Sequence, residues 1–187
     1  MALIRFVTAQ DLFAAFPTAR QDVDAEPNDE PSLRFLQALA DREEPNKAIA
    51  FCAYLLPRRE AVWWGCRCIR ALAKERPIPE EEALLAAENW TKAPEEDRRM
   101  AALELGMRGN PNWPSTWLAL AAGWSGGNIL LGVQATGAAP PEQTARAVRA
   151  AVLTAVSRLP PGERERGLQN CIQAGIRLAA EDKQSER

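Results

Sequence analysis

The sequence contains no histidine in its 187 residues. Histidine is the commonest general base, the usual partner of a serine or cysteine nucleophile and the commonest metal ligand. The glycine-rich signatures of nucleotide sites and the serine elbow of hydrolases are also missing. An enzyme would have to work through carboxylates, lysine, arginine or tyrosine. We therefore predict no catalytic, cofactor-binding or metal-ligating residue.

Cysteine is scarce, with four residues at positions 52, 66, 68 and 171. Cys66 and Cys68 are two positions apart in a predicted helix, so their side chains diverge by about 200° and match no zinc motif. We expect the four cysteines to be small buried residues with free thiols, which suit a reducing cytoplasm.

Long hydrophobic runs are absent too. No window approaches the ~20 apolar residues that a membrane span needs, and the opening MALIRFVTAQDLFAAF lacks the apolar core of a signal peptide. The net charge is -2, which gives no global attraction to nucleic acid or to anionic lipid. We expect a cytoplasmic protein that binds neither nucleic acid nor membrane, and the pattern leaves the oligomeric state open.

What is present favours helices. Apolar residues make up 47% of the chain, alanine and leucine dominate, and β-branched residues form no alternating runs. Prolines at positions 45, 79, 94 and 114 fit helix starts, and Thr8 with Asp11 fits a capping box. We predict one all-α domain over residues 1–187 with about nine helices, as an irregular bundle or a short HEAT-like superhelix of helical hairpins.

Three segments interrupt the helical pattern. Residues 17–31 are polar, acidic and rich in proline, and predict a loop. Residues 125–141 are rich in glycine and proline. They are either a ligand loop or, as we prefer, a connector held on the core by four apolar residues, Ile129, Leu130, Leu131 and Val133. Residues 182–187 predict a frayed tail.

Two acidic clusters, Glu80–Glu82 and Glu95–Asp97, each follow a helix-opening proline. Consecutive carboxylates on a helix point in different directions, whereas a metal site needs them to converge. We interpret both clusters as complementing the positive end of the helix dipole.

The segment 59–75, REAVWWGCRCIRALAKE, is the most informative in the chain. At helical spacing its apolar residues form a broad face that includes Val62, Trp64, Cys66, Cys68, Ile69, Leu72 and Ala73. The opposite face carries the residues that we predict to contact a protein partner, Arg59, Trp63, Arg67, Arg70 and Lys74. Tryptophan among arginines is typical of interface hot spots. The alternative is that another helix of the same chain covers Trp63.

Two segments carry a resemblance to a known group of proteins. They are AVWWGCRCIRAL at 61–72 and WSGGNILLGV at 124–133, the latter leading through Pro140 and Pro141 into EQTARAVRAAVLTA. Over residues 35–180 this order resembles an uncharacterised family of small all-helical bacterial proteins encoded near accessory genes of type VI secretion. The resemblance implies no catalytic residues. It implies handling of a secreted cargo in the cytoplasm.

These observations predict a non-enzymatic adaptor or chaperone-like accessory of a type VI secretion system. Its partner would be an effector, a spike-tip protein or another adaptor. One alternative is a carboxylate-based enzyme or an immunity-like inhibitor, which a cleft with several carboxylates of raised pKa would favour. The other is a helical regulatory scaffold unrelated to secretion.

Overall fold

The computed structural model describes residues 5–42, 44–126, 128–131 and 134–181. Ten α-helices lie within these ranges: α1 (Ala9–Ala15), α2 (Ala19–Val23), α3 (Ser32–Asp41), α4 (Pro45–Leu55), α5 (Arg58–Leu72), α6 (Ile78–Lys92), α7 (Glu96–Arg108), α8 (Pro114–Gly123), α9 (Gln143–Ser157) and α10 (Pro161–Glu181). A small antiparallel hairpin, β1 (Asn128–Leu131) and β2 (Gln134–Ala138), separates α8 from α9. The predicted all-α class is confirmed.

Most helix starts follow the predicted local signals, whereas Pro94 precedes Glu95, the cap residue of α7. Thr8 and Asp11 form a complete capping box, in which each side chain accepts a hydrogen bond from the backbone N–H of the other. Proline occupies the first turn of α4, α6 and α8, where its missing N–H costs nothing. At the start of α3, Pro31 holds the cap position and Ser32 is buried within the helix.

The helices pack as an irregular bundle. In a solenoid each repeat contacts only its neighbours along the chain. Here α9 packs against α4, α5 and α8, and α10 packs against α3, α4 and α5 as well as α9. These contacts between the two ends of the chain favour a closed bundle over an open superhelix. One cluster of buried side chains runs from Ala9 to Ala179.

The predicted loop at 17–31 contains a helix that the sequence analysis missed. Residues 19–23 form α2, and Asp24 ends it in the left-handed conformation with φ 54°. Asp22 accepts hydrogen bonds from the Tyr54 hydroxyl and from Arg146 Nε, the latter at 2.7 Å. These contacts with α4 and α9 hold the segment against the bundle, so the prediction of a simple loop was incomplete.

The connector at 125–141 also contains structure that was not predicted. Its backbone forms the hairpin, with Leu131 opposite Gln134 and Asn128 opposite Ala138. Glycine disfavours helix here, and a short antiparallel pair satisfies the backbone groups instead. The predicted packing on the core concerns the side chains of Ile129, Leu130 and Leu131, and Val133, which lie outside what the structure describes. The predicted frayed tail at 182–187 also lies outside the described residues.

No helix in the described ranges combines the length and the apolar character that a membrane crossing demands.

Candidate protein-interaction site

Helix α5 places two adjacent tryptophans on opposite faces. Trp64 is buried, and its indole N–H donates a hydrogen bond of 3.0 Å to the backbone oxygen of Cys171 in α10. Gly65 lets α8 approach closely, because a Cβ there would lie 2.6 Å from a methyl group of Leu118. Most of the predicted apolar face is buried as expected, namely Ala61, Val62, Trp64, Cys66, Cys68 and Ile69. Ala73 is exposed because the helix ends at Leu72.

Trp63 lies on the outer face of α5 and is 43% exposed. The guanidinium carbon of Arg67, one turn further along, lies 5.6 Å from the centre of the indole ring. Such a stacked pair contributes about 0.5–1 kcal/mol at an exposed site. In the described part of the chain no helix covers the indole completely. Trp63 and Arg67 therefore form an exposed aromatic–cation pair.

A hollow of about 240 Å³ lies beside this pair. Its lining comes from α5, α6 and α10, through Arg59, Glu60, Trp63, Thr91 and Leu178. Arg59 Nε donates a hydrogen bond of 2.7 Å to the backbone oxygen of Thr91, which fixes the guanidinium at the rim. We call Arg59, Trp63, Arg67 and this hollow the Trp63 face.

Two of the five predicted contact residues are placed differently. Arg70 is half-buried and binds both oxygens of Glu88, at 2.8 and 2.9 Å, and one oxygen of Glu81, at 2.6 Å. The hydrogen bonds with Glu88 raise the pKa of Arg70, and Arg70 ties α5 to α6. Lys74 is exposed but follows the end of the helix. The structure thus groups Arg59, Trp63 and Arg67, and gives Arg70 an internal ion pair.

Sequence reasoning missed three contributors to the hollow. Glu60 lies on α5 itself. Thr91 in α6 lies 28 positions beyond Trp63 in the sequence, and Leu178 in α10 lies 115 positions beyond it. Leu178 is buried. A local helical pattern carries no signal for contacts of this range.

The acidic clusters do more than complement helix dipoles. Glu80 is buried and pairs at 2.6 Å with Arg158, the residue that follows the end of α9. Glu81 pairs with Arg70 and Arg76, which together lower its pKa even though burial opposes ionisation. In the second cluster Glu95 and Glu96 pair with Arg98 and Arg99, one turn along the same helix. The dipole interpretation was therefore incomplete for the first cluster.

The four cysteines are free and buried. Burial raises the pKa of the Cys52 and Cys66 thiols, and a hydrogen bond with Cys171, together with burial, raises the pKa of Cys68. The Cys52, Cys66 and Cys68 thiols therefore stay protonated at neutral pH, which makes them poor nucleophiles. Within the described ranges, histidine, cysteine, aspartate and glutamate form no group of three that would fit a metal ion.

A second, larger hollow of about 780 Å³ lies along the outer side of α7. Met100 and Met107 line this hollow together with acidic and basic side chains of the same helix. Met107 is 54% exposed. It lacks a tryptophan, and its described lining comes from one helix, so the Trp63 face remains the better-defined candidate.

Comparisons with known proteins place the chain in a family. No curated protein and no solved structure matches it at a significant level. The family model DUF6931, described as a family of unknown function, matches residues 35–179, the stretch over which the sequence showed its resemblance. That range contains the whole of α5 and the helices that surround the Trp63 face, from Phe35 in α3 to Ala179 in α10. The chain belongs to the DUF6931 family.

Proposed function

We propose that this chain is a non-enzymatic protein-interaction factor and that a protein partner binds the Trp63 face. The observation that carries the proposal is the 43% exposure of Trp63 with Arg67 stacked beside it. Trp64, the next residue, is almost completely buried, so the bundle can enclose an indole ring. The exposure of Trp63 is therefore not forced by the size of its side chain. An exposed tryptophan beside arginine is the composition that dominates binding energy in protein interfaces.

Covering the pair would strengthen it. A cation–π contact rises from about 0.5–1 kcal/mol at an exposed site to about 2 kcal/mol or more when it is desolvated. The hollow between Arg59 and Leu178 offers space for a side chain of the partner next to the indole. A partner with an apolar or aromatic side chain for the hollow and a carboxylate for Arg67 would fit this surface.

The charges of the chain favour protein over nucleic acid as the partner. The net charge is -2, and Arg70 is engaged by Glu81 and Glu88. Single-strand binding proteins use basic grooves with several stacking aromatics, whereas this face has one tryptophan.

The cellular role follows from the resemblance of segments 61–72 and 124–133. We place the protein in the bacterial cytoplasm as an adaptor or chaperone-like accessory of a type VI secretion system. Its partner would be an effector, a spike-tip protein or another adaptor. The resemblance supports this assignment.

The main alternative is a carboxylate-based enzyme or an immunity-like inhibitor. A catalytic carboxyl group needs a raised pKa if it is to donate a proton near neutral pH. The carboxyl groups with a shifted pKa among the described residues, Asp11, Glu81 and Glu96, are all shifted downward by hydrogen bonds or ion pairs. This pattern favours binding. A helical scaffold unrelated to secretion is the other alternative, and the neighbouring genes distinguish it.

Affinity purification of the tagged protein from its native host, followed by mass spectrometry, tests the proposal. Recovery of an effector, spike-tip or adaptor protein is the expected result. Recovery of the tagged chain alone, while the secretion genes are expressed, would contradict the secretion role. Recovery of a regulatory protein instead would support the scaffold alternative.

A further inference from the structure

Helix α7 presents a row of exposed side chains on the side that faces away from the bundle. The side chains that point into the bundle are buried, namely Arg99, Ala102, Leu103 and Gly106. On the opposite side four residues are exposed, namely Asp97, Ala101, Glu104 and Arg108. At 100° per residue these four lie within about 60° of one another around the helix. We call these four residues the α7 row.

The charges of the α7 row are ordered along the helix. Asp97 lies in the first turn and Arg108 in the last turn, about 16 Å further along the axis. Arg108 contacts Glu104 of the same helix at 3.4 Å, and these two side chains are 65% and 73% exposed. Among the described residues Asp97 has no ion-pair partner. The row therefore has a carboxylate at one end and a loosely paired guanidinium at the other.

Apolar side chains lie on both flanks of the α7 row. On one flank, Met100 and Met107 lie within about 20° of each other around the helix, about 80° from the row. Met107 is 54% exposed, and both methionines line the hollow of about 780 Å³ beside α7. On the other flank, Leu85 of α6 is 42% exposed and shares a groove with Arg98 and Ala101. The row thus combines charges with the apolar surface that an interface needs.

We infer that the α7 row is a contact surface between two copies of this chain, with their α7 helices antiparallel. A two-fold axis that crosses α7 between residues 102 and 103 would place Asp97 of each copy opposite Arg108 of the other. The same register would place each Ala101 opposite Glu104 of the other copy, where the small side chain leaves room for the longer one. One surface would therefore be complementary to itself, as a two-fold interface requires. Arg108 would then bridge its own Glu104 and the partner's Asp97.

The same axis would also bring the methionines together. A two-fold axis perpendicular to both helices keeps each flank of the row on the same side in the two copies. Met100 of one copy and Met107 of the other would then lie within about 3 Å along the helix axis. Parallel helices would instead place Asp97 opposite Asp97 and Arg108 opposite Arg108. The order of charges therefore favours the antiparallel second copy over the parallel one.

Sedimentation velocity of the full-length protein measures this self-association. The contact comes mainly from one helix of each copy, so it lies at the small end of the range of interfaces and predicts a weak dimer. Between about 5 and 500 µM the wild type should pass reversibly from monomer to dimer, with a dissociation constant on the order of tens of micromolar.

Charge reversal tests the register. Asp97→Arg would place arginines opposite each other at both ends of the interface, and Arg108→Asp would place aspartates there. Each variant alone should associate at least about tenfold more weakly than the wild type. In an equimolar mixture of the two variants both ends again carry opposite charges, so a mixed dimer should form with about wild-type affinity. Glu163→Arg, which changes an exposed carboxylate in the first turn of α10, is the matched control and should dimerise normally.

Three results would overturn the inference. The first is a wild-type protein that stays monomeric at every concentration. The second is wild-type affinity in either folded charge variant. The third is a mixture of the two variants that does not associate. If the charge variants do not fold, Met107→Lys puts a charge into the methionine flank, and undiminished association of this variant would overturn the inference instead.

The outcome is independent of the proposed function. The described residues that line the hollow beside Trp63 come from α5, α6 and α10, and none comes from α7. Trp63→Ala/Arg67→Glu should therefore dimerise like the wild type, whether or not this variant loses a protein partner. Dimerisation that failed in this variant and persisted in Asp97→Arg would place the contact between copies on the Trp63 face and overturn the assignment to α7.

Discussion

The indole N–H of Trp64 donates a hydrogen bond of 3.0 Å to the backbone oxygen of Cys171, 107 positions away. The bond joins α5 to α10 inside the core, where Trp64 is 1% exposed. Trp63, its neighbour in sequence, points the other way and remains 43% exposed. One helix therefore buries one tryptophan in the core and leaves the other exposed on the surface.

The two tryptophans should respond very differently to the same substitution. Trp64→Phe removes buried surface and a buried hydrogen bond, and should lower the free energy of unfolding by about 2–4 kcal/mol. Trp63→Phe should lower it by less than about 1 kcal/mol. Urea unfolding followed by far-UV circular dichroism measures both. Equal losses in the two variants would contradict the assignment of the faces.

Gly175 in α10 should not tolerate a side chain. A Cβ there would lie 2.4 Å from Cys52 Sγ and 3.2 Å from Trp64 Nε1, both in the closely packed core. Gly175→Ala should therefore destabilise the protein by about 1–3 kcal/mol, although alanine is the better helix former.

Gly162, in the first turn of the same helix, is the matched control. A Cβ there meets nothing within 4 Å. Gly162→Ala should leave the free energy of unfolding unchanged or raise it by up to about 1 kcal/mol. A stabilising effect at both glycines would show that α10 packs less closely than described.

Asp22 should anchor the short helix α2 to the bundle. Its side chain is 17% exposed and contacts Tyr54 and Arg146. Asp22→Asn should lower the free energy of unfolding by about 1–3 kcal/mol, because a partly buried guanidinium loses its counter-charge.

Asp24 provides the control for this prediction. Its side chain is 86% exposed, and its left-handed backbone suits asparagine equally well. Asp24→Asn should change stability by no more than about 0.5 kcal/mol. If Asp22→Asn were equally mild in thermal unfolding, the segment 17–31 would be a simple loop after all.

Tyr54 should make stability fall at high pH. Burial, together with the hydrogen bond to Asp22, raises the pKa of Tyr54 from 10.0 to about 12. Between these values the unfolded chain releases the phenolic proton and the folded chain keeps it. The stability that Tyr54 contributes is therefore complete below pH 10 and is lost as pH rises towards 12, with a slope of up to about 1.4 kcal/mol per pH unit.

The chain has one tyrosine, so its ionisation can be read directly from the absorbance at 295 nm. Tyrosinate should form near pH 12 or together with the loss of helical circular dichroism, whichever comes first. In Tyr54→Phe the fall in unfolding free energy between pH 10 and 12 should be shallower. Ionisation near pH 10 in the folded protein would contradict the buried, hydrogen-bonded position.

Helix positions and faces were predictable from local signals. Proline starts, the Thr8–Asp11 box and the apolar spacing of α5 each act within about one turn, so a sequence pattern reports them directly. The exposure of Trp63 could not be settled in this way. It depends on how closely α6 and α10 approach α5.

Several departures from the sequence predictions involve contacts between distant residues. Helix α2 has only five residues and is too short to persist by itself, so its stability depends on Tyr54 and Arg146. Glu80 resembled a dipole-complementing residue, but it pairs with Arg158, 78 positions away. Arg70 resembled a free surface cation, but Glu88 from the neighbouring helix engages it. The spacing of residues within one helix cannot predict these pairings, because each pairing reaches beyond a single helix.

The central claim is that the Trp63 face binds a protein partner. The most direct measurement is a quantitative affinity capture from the native host. It compares three tagged proteins: the wild type, the double variant Trp63→Ala/Arg67→Glu, and the control double variant Leu85→Ala/Arg166→Glu. The control changes an equally exposed apolar side chain, 42% for Leu85, and an exposed arginine on another helix. We predict that the control retains the partner recovered by the wild type, and that the folded Trp63→Ala/Arg67→Glu variant loses it by at least about tenfold. Undiminished recovery by that variant would contradict the account.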